Sequence, residues 1–455
     1  MPPTDVRKFA AALSVSAAAL ALVSGCGGTE STSKPGSVSI TVAGQPTQEN
    51  PGLLKAFQRK ISEFSKANPG IKVTGDESLF DVNTFQALVA GGKLPTVFYV
   101  PFTEMQGIIA RQQAADITGH IGAGSNVKRM NPSILKVATG PENHIFGVPV
   151  QAYSMGLLYN RALFTKAGLD PDAPPKTWDE VRAAAKTIHA KTGVAGFGAM
   201  TKDNTGGWVL TAMSYAYGSK IQSDDGKQAT VNNDAIRRAL DFYRAVRWED
   251  DAFGSDFLIG YEDITNALAS GKVGMIVQGA DTYTRVVQSL GMKPDDFGLA
   301  PLPQAPGALG TLGGGSVAII NPRATAEEIK AALKWIDYAE FNRYSDQQAA
   351  VTLAKASAAD ELPVGAPVLP LFDQATTDRY LTWVKDYINV PREHFTAYFD
   401  SAKTLPLVPE PAAKAQETYG ILDNVVQAVL TRKDADITAL LDDAQKKVQS
   451  AIDAG

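Results

Sequence analysis

The residues of this chain that could do chemistry are scattered, and their spacing fits no reaction centre. No histidine is part of an H-E-x-x-H pair, and none lies near a carboxylate at metal-ligand spacing. No serine occupies a G-x-S-x-G elbow, so the sequence does not support a hydrolase triad. Gly313-Gly314-Gly315 lacks the P-loop lysine, and we interpret it as a loop that needs a positive φ or a close backbone approach. The sequence therefore predicts a non-enzyme with no catalytic residue, no metal site and no cofactor.

The single cysteine, Cys26, favours a different chemistry, the attachment of lipid. It follows a basic start and an apolar run from Phe9 to Val23, which is the order of a secretory signal. At about 1.5 Å per residue this run reaches roughly 22 Å, less than the ~30 Å of a bilayer core. The sequence Val23-Ser24-Gly25-Cys26 resembles a bacterial lipobox. We therefore expect a signal peptide over 1–25, a flexible tether over 26–36, and export to the outer face of the cytoplasmic membrane with a lipid anchor at Cys26.

The composition is that of an ordinary globular protein of about two lobes. Removing residues 1–25 from 455 leaves 430, which is too many for one compact core. Asp and Glu outnumber Lys and Arg by 48 to 43, so no basic excess indicates nucleic acid. Beyond the signal, no run is apolar enough to span a bilayer, so we expect membrane contact through the lipid alone and a monomeric protein.

Helical and strand patterns alternate along most of the chain, which predicts an α/β fold with a largely parallel sheet. The predicted strands are 38–42, 71–73, 96–100, 155–159 (preceded by 148–150) and 273–277. The predicted helices are 53–64, 84–90, 161–167, 177–191, 235–248, 263–270, 325–338, 415–430 and 437–452. Two of these helices begin with a capping-box pattern, Thr177 to Glu180 and Thr325 to Glu328. The stretch from 353 to 411 is the least periodic and predicts no element boundary.

Four segments resemble one family, the bacterial extracellular solute-binding proteins of sugar importers, a group similar to maltose-binding protein. Leu157–Leu169 is similar to that family's YNK-LF-KAGL stretch, and Thr177–Glu180 to its TW-E segment. Ser270–Ile276 is similar to its GK-AM turn, and 299–318 to its PLP…GG stretch. The four segments occur in the family's order.

This resemblance implies a two-lobed, type II periplasmic-binding-protein-like fold with a ligand cleft between lobes and hinge crossings. The implied ranges are 37–152 with 281–340 for the N-terminal lobe, and 153–280 with 341–455 for the C-terminal lobe. It also implies that the protein captures a sugar outside the cell, closes around it, and delivers it to the permease of an ABC importer whose ATPase lies on other chains.

Most candidate ligand-binding residues follow predicted strands, where ligands sit in α/β sheets. Asn204 and Trp208 lie in a predicted Gly-rich loop, and Gly314, Gly315 and Ser316 precede a predicted late strand. Aromatic faces suit the C–H groups of a sugar, while amides and carboxylates can bind two hydroxyls at once. Tyr419 is included because the resemblance places it where this family often stacks an aromatic ring on sugar. The candidates are Gln45, Tyr99, Phe102, Glu104, Tyr153, Asn204, Trp208, Asp281, Gly314, Gly315, Ser316 and Tyr419.

Two departures from the family pattern leave the ligand's identity open. Thr96 stands where many relatives have Asp, and Val42-Ala43-Gly44 where many have tryptophan, so one sugar-stacking platform is missing. Another small solute, such as a glycerol phosphodiester, is an alternative, although the candidate list holds no base for an anion. A polyamine would need several acids with aromatic walls, and only Asp281 and Glu104 are available. A secreted glycan-active enzyme and a signalling lipoprotein are rivals from other classes.

Overall fold

A computed structural model describes residues 37–454 of the chain. The predicted signal peptide and the whole predicted tether, which includes Cys26, lie outside the described residues, and the predictions for them stay predictions. Over the described part of the chain, none of the helices has the length and apolarity needed to cross a membrane.

Strands and helices occupy the described residues from end to end. The strands are β1 (Val38–Val42), β2 (Ile71–Gly75), β3 (Val97–Pro101), β4 (Val148–Asn160), β5 (Ala195–Gly198), β6 (Val273–Gly279), β7 (Phe297–Pro301), β8 (Thr311–Ile320) and β9 (Leu407–Val408). The helices are α1 (Pro51–Ala67), α2 (Val82–Ala90), α3 (Phe102–Ala110), α4 (Pro132–Leu135), α5 (Arg161–Ala167), α6 (Trp178–Thr192), α7 (Thr205–Tyr217), α8 (Asp234–Arg244), α9 (Tyr261–Ala269), α10 (Thr282–Thr284), α11 (Ala326–Ser345), α12 (Gln347–Ala359), α13 (Gln374–Val384), α14 (Thr396–Ser401), α15 (Ala415–Thr431) and α16 (Ile437–Asp453). The predicted strands and helices are present, with ends that differ by up to seven residues, as at the end of α11 and the start of β4.

Both predicted capping boxes are present. The Thr177 hydroxyl accepts from the Glu180 backbone N–H at 3.2 Å, and the Glu180 carboxylate accepts from the Thr177 N–H at 3.2 Å. Thr325 and Glu328 form the same pair, with distances of 3.3 and 2.8 Å. These reciprocal bonds satisfy donors that a helix start leaves free, and they place α6 and α11 where the sequence predicts them.

The sheet is mixed, so the prediction of a largely parallel sheet is wrong. Its strand order is β2-β1-β3-β8-β4-β6-β5, with β7 paired to β4 and β9 paired to β8. β1 pairs in parallel with β2 and β3, and β5 pairs in parallel with β6. β8, however, runs antiparallel to both β3 and β4, and β4 runs antiparallel to β6 and β7. The alternation of helices predicts crossovers within each half, but it carries no signal for two long strands that run in opposite directions between the halves.

The buried side chains form two large hydrophobic clusters, which define two bodies. The first body packs around β1, β3, α3 and α11, and the second around β5 to β7, α6 to α9 and α15. β4 contributes Val148 to the first body and Leu157 to the second, and β8 contributes Val317 to the first and Leu312 to the second. These two strands therefore pass between the bodies.

The lobe ranges predicted from the sequence stay a prediction. The packing favours a different assignment at two places. Leu299 of β7 is buried in the second body, and Phe372, just before α13, is buried in the first. A third, small cluster lies among α12, α13 and the following turn, around Ala354 and Val384.

Candidate functional site

The site is built where β4 and β8 cross between the two bodies. Tyr153 of β4 is paired in register with Gly314 of β8. A side chain at Gly314 would run into the Tyr153 hydroxyl, so the glycine gives the ring room to lie across β8. The run Gly313-Gly314-Gly315 thus needs the close approach predicted for it, but it forms part of a strand instead of a loop.

Helix α7 brings an indole to this crossing. The Trp208 and Tyr153 rings meet edge to face, with centroids 6.4 Å apart and planes at 72°. The sequence predicts a Gly-rich loop here, but Gly206 and Gly207 lie in the first turn of α7. A side chain at Gly207 would strike the backbone of Tyr419 in α15, so the glycine permits close packing of α7 on α15.

Glu410 is the partly buried acid of the site. Its Oε1 accepts a hydrogen bond from Trp208 Nε1 at 2.9 Å. Burial raises the pKa of Glu410 to about 7, and the bond from Trp208 acts in the opposite direction. Tyr215 lies on the same face of α7 as Trp208, two turns further along. The Tyr215 hydroxyl donates to the Pro409 carbonyl at 3.1 Å and so holds the chain beside Glu410. Glu410 is therefore fixed by two side chains of one helix.

Asp281 supplies a second acid at the other side of Tyr153. The end of β6 carries it, and its carboxyl lies over Gly279 beside the Tyr153 ring. The side chain keeps an exposed surface, yet its surroundings raise the carboxyl pKa through loss of water. A group that is surrounded by protein and still reachable by solvent lies in a crevice. Both Glu410 and Asp281 raise the pKa of Tyr153, after burial as the larger cause.

Tyr419 completes the group from α15. Its ring is 1% exposed, and its hydroxyl has no hydrogen-bond partner among the described residues. Burial raises the pKa of Tyr419 well above its ordinary value, and Glu410, Tyr215 and Tyr153 add to the effect. We call Tyr153, Trp208, Tyr215, Asp281, Glu410 and Tyr419 the crossing cluster.

A cavity of about 1000 Å³ lies between residues of the two bodies. Its wall on the first body includes Glu104 of α3 and Arg111, which directly follows α3. Its wall on the second body includes 225–227, 412–417 and the end of α16. Burial raises the pKa of Glu104, while the Arg111 charge lowers it. The cavity is large enough for a ligand of oligosaccharide size.

The cavity and the crossing cluster share two structural elements. Asn204, at the start of α7, donates from Nδ2 to Gln416 Oε1 at 3.2 Å, and Gln416 lines the cavity. Trp208 lies one turn further along α7, and Glu410 lies on the segment that leads to Gln416. The Asn204–Gln416 hydrogen bond therefore connects the wall of the cavity to the helix that carries Trp208.

The predicted site residues do not all lie together. Tyr153, Trp208, Asp281, Gly314 and Tyr419 come together at the crossing, Glu104 lines the cavity, and Asn204 is bonded to Gln416 of the cavity wall. Tyr99 lies apart, where its hydroxyl donates to Glu340 at 2.9 Å, and Gln45 lies beside Gly75 in the first body. Phe102 is 3% exposed and lies against Gly315.

The position of one predicted group needs correction. Gly314, Gly315 and Ser316 lie inside β8, not before it, because the strand pairs with β4 through the whole glycine run. Ser316 is also paired with Pro101 of β3, so its backbone is enclosed between two strands.

Two members of the crossing cluster are absent from the sequence prediction. Tyr215 lies in an apolar helix and reads there as a core residue. Glu410 lies in the stretch without periodicity, between Pro409 and Pro411. A lone acid between two prolines just before a helix is the signal that could have drawn attention to it, because prolines fix the direction of the chain.

Two α/β bodies joined by crossing strands around a polar and aromatic cleft define a class, the two-lobed ligand-binding proteins. Residues 50–344 match the family of bacterial extracellular solute-binding proteins, and the chain belongs to this family. A binding protein of Brucella abortus is 26% identical over 98% of this chain and 99% of its own length.

Solved structures show the same fold. The cyclic α-maltosyl-1,6-maltose binding protein of Arthrobacter globiformis matches with a TM-score of 0.70 at 21% identity, over 92% of this chain and all of the other. UgpB of Mycobacterium tuberculosis, in complex with glycerophosphocholine, matches with a TM-score of 0.67 at 21% identity, over 92% and 99% of the two chains. The prediction of a two-lobed, type II periplasmic-binding-protein-like fold is confirmed.

Proposed function

We propose that this protein captures a carbohydrate outside the cytoplasm and delivers it to the permease of an ABC importer. The crossing cluster beside the 1000 Å³ cavity is the observation that carries the proposal. Its rings offer apolar faces to sugar C–H groups, and its carboxyls offer acceptors to pairs of hydroxyls. The membership in the solute-binding family and the likeness to a maltosyl-maltose binding protein support this reading.

Transport requires that the closed form binds ligand better than the open form. β4 and β8 connect the bodies, so a hinge movement there would bring Glu104 and Arg111 toward 412–417 across the cavity. Ligand contacts made with both walls exist only in the closed form, which is the differential affinity that closure needs. No bond is made or broken in this cycle, and the ATPase acts from other chains.

We further propose that Cys26 carries the lipid that holds the mature protein at the outer face of the membrane. The apolar run and the lipobox-like sequence support this, together with relatives whose names call them periplasmic. Mass spectrometry of the mature amino terminus tests it, with an acylated Cys26 as the expected result. We propose as well that the protein acts as a monomer, and that its two lobes have the ranges predicted from the sequence.

A glycerol phosphodiester is the second candidate ligand. Arg111 and Lys414 face the cavity from opposite bodies and could bind a phosphate together. The chain also matches the sn-glycerol-3-phosphate-binding protein UgpB of Salmonella typhimurium, at 23% identity over 63% of this chain.

Thermal-shift screening separates the two candidates. A panel of mono- and oligosaccharides is compared with glycerol 3-phosphate and glycerophosphodiesters on the purified mature protein. A bound ligand at a hundredfold excess over its Kd stabilises by about 2.7 kcal/mol, which is a clear shift in Tm. We expect a sugar to give the largest shift. Stabilisation by the phosphate compounds alone would replace the first candidate by the second.

A further inference from the structure

The two carboxyls of the crossing cluster have no counter-charge. Among the described residues, no Lys, Arg or His forms an ion pair with Glu410 or Asp281. Asp250 shows the contrast, because its buried carboxyl is bound by Arg182 and Lys186. A carboxylate removed from water without a counter-charge is costly. The protein keeps Glu410, which is partly buried, and Asp281, which keeps an exposed surface, beside the same Tyr153 ring.

Aromatic rings surround the same place from three elements. Tyr153 comes from β4, Trp208 and Tyr215 from α7, and Tyr419 from α15. The negative faces of such rings attract cations, and carboxylates add to that attraction. A cluster of acids alone would not indicate a ligand, but the Tyr419 hydroxyl is buried, unpartnered and close enough to Glu410 to feel its charge. The Tyr419 hydroxyl is therefore free to form a hydrogen bond with a group that the described residues do not supply.

The cations of the cleft lie elsewhere and are already engaged. Arg111 Nε donates to Gln113 Oε1 at 3.0 Å, and Lys414 Nζ lies 3.4 Å from Glu417 Oε1. Lys227, the third cation of the cavity lining, pairs with Asp225 at 3.9 Å. The cavity lining therefore carries charges of both signs, and among the described residues none of its three cations forms an ion pair with Glu410 or Asp281.

We infer that the ligand of this cleft carries an ammonium group, which binds in the crossing cluster with Glu410 as its counter-charge and the rings of Trp208 and Tyr153 as its walls. The inference rests on the proposed function and narrows its ligand to a polyol that bears a positive charge. Two chemistries meet that description, a protonated amino sugar and a polyol joined to a quaternary ammonium. A neutral sugar would leave Glu410 to bind a proton in place of a cation.

The first experiment isolates the charge with a matched pair of probes. Choline and its neutral carbon isostere, 3,3-dimethylbutan-1-ol, are titrated into the purified mature protein by calorimetry at pH 8 and pH 6. We expect choline to bind about tenfold or more tightly than the isostere at pH 8. This preference should shrink at pH 6, because Glu410 is then largely protonated. Three tyrosines face Glu410, and they stay neutral across this pH range because the pKa of each is raised: Tyr153, Tyr215 and Tyr419. Asp281 lies on the other side of Tyr153 and also acts on the pKa of that tyrosine.

The second experiment removes the charge and keeps the shape. Glu410→Gln retains an oxygen that can accept from Trp208 Nε1, so the indole stays in place. The variant should lose the preference for choline over the isostere at pH 8. Asp443→Asn, on an exposed face of α16 in an ion pair with Lys447, is the control and should keep it. Asp281→Asn is the second cluster variant, used if Glu410→Gln unfolds, and should reduce the preference.

The outcomes separate the inference from the proposed function. Equal binding of the two probes, no binding of either, or an unchanged preference in Glu410→Gln would overturn the inference. Stabilisation by neutral sugars would then leave the proposed function standing, whereas no response to any polyol would remove that function as well. Titration of D-glucosamine against D-glucose, beside glycerophosphocholine, shows which ammonium chemistry the site takes.

Discussion

Two carboxyls accept hydrogen bonds from the same helix, α7, and differ in the number of donors that the helix gives them. Asp423 accepts the backbone N–H groups of Asn204 and Gly207, each at 2.8 Å, at the start of the helix. Glu410 accepts a single side-chain donor from Trp208, one turn further along. Both carboxylate oxygens of Asp423 thus accept hydrogen bonds from the start of α7. Only one oxygen of Glu410 accepts a bond from α7, so its carboxyl can accept a further hydrogen bond from a ligand.

The electrostatics of the two acids follow from this difference. Burial raises the pKa of both. At Asp423 the hydrogen bonds from Gly207, Asn204 and Gly206 oppose burial, because backbone N–H groups at a helix start favour the charged form. At Glu410 only the Trp208 bond does so. Burial therefore affects the pKa of both acids in the same direction, and the two acids differ in the number of hydrogen-bond donors that the protein supplies to each.

The largest effect should come from breaking the scaffold acid. Asp423→Ala leaves the N–H groups of Asn204 and Gly207 buried without an acceptor, and we expect a loss of about 3 kcal/mol in the free energy of unfolding. Urea unfolding at pH 7 measures it. Asp423→Asn retains one acceptor and should cost less. A loss below about 1 kcal/mol for Asp423→Ala would remove the distinction between the two acids.

In contrast to Asp423→Ala, the variant Glu410→Gln should increase the free energy of unfolding of the ligand-free protein. Because the pKa of Glu410 in the folded protein, about 7, lies above its ordinary value of 4.5, the folded state holds this proton more tightly than the unfolded chain does. The resulting stability is full below pH 4.5 and is lost as the pH rises to about 7. At about 1.4 kcal/mol for each pH unit, the loss is at most about 3 kcal/mol.

We therefore expect Glu410→Gln to be about 2 kcal/mol more stable than the parent protein at pH 8 and no more stable at pH 4. Chemical denaturation across this pH range checks both values. Asp443→Asn serves as the control and should show no such trend. A variant less stable than the parent at pH 8 would mean that Glu410 is a scaffold acid like Asp423.

The smallest effect should come from the donor that orients Glu410. Trp208→Phe keeps an aromatic wall and removes the Nε1 donor, so the carboxyl loses its orientation while the fold is kept. For the ligand that gives the largest thermal shift, we expect affinity to fall about tenfold, or about 1.4 kcal/mol. Trp383→Phe, in the separate small cluster near α13, is the control. Equal losses in the two variants would argue against a role for the crossing cluster.

Local signals explain why most elements of the fold could be predicted. The Thr177 and Thr325 capping boxes depend on residues three apart, and the apolar periodicity of α15 and α16 depends on residues within two turns. Sheet pairing depends on contacts across the whole chain. The antiparallel course of β4 and β8 therefore has no local signal, and the expectation of a largely parallel sheet was wrong for that reason.

The site could be predicted in part, for a similar reason. Tyr153 and Asp281 follow from the places where the chain passes from one lobe to the other, and the structure brings them together beside Gly279. Glu410 belongs to a stretch whose course is set by contacts with Tyr215 and Trp208, which lie about 200 residues earlier. No pattern within 353–411 carries that information.

The central claim is tested most directly by a crystal structure with the ligand that native mass spectrometry finds on the purified protein. We predict density between the two bodies, in contact with Tyr153 and Trp208 and within hydrogen-bond distance of the Glu410 carboxyl. A ligand bound outside the cavity, or one held between the bodies with the crossing cluster untouched, would contradict it.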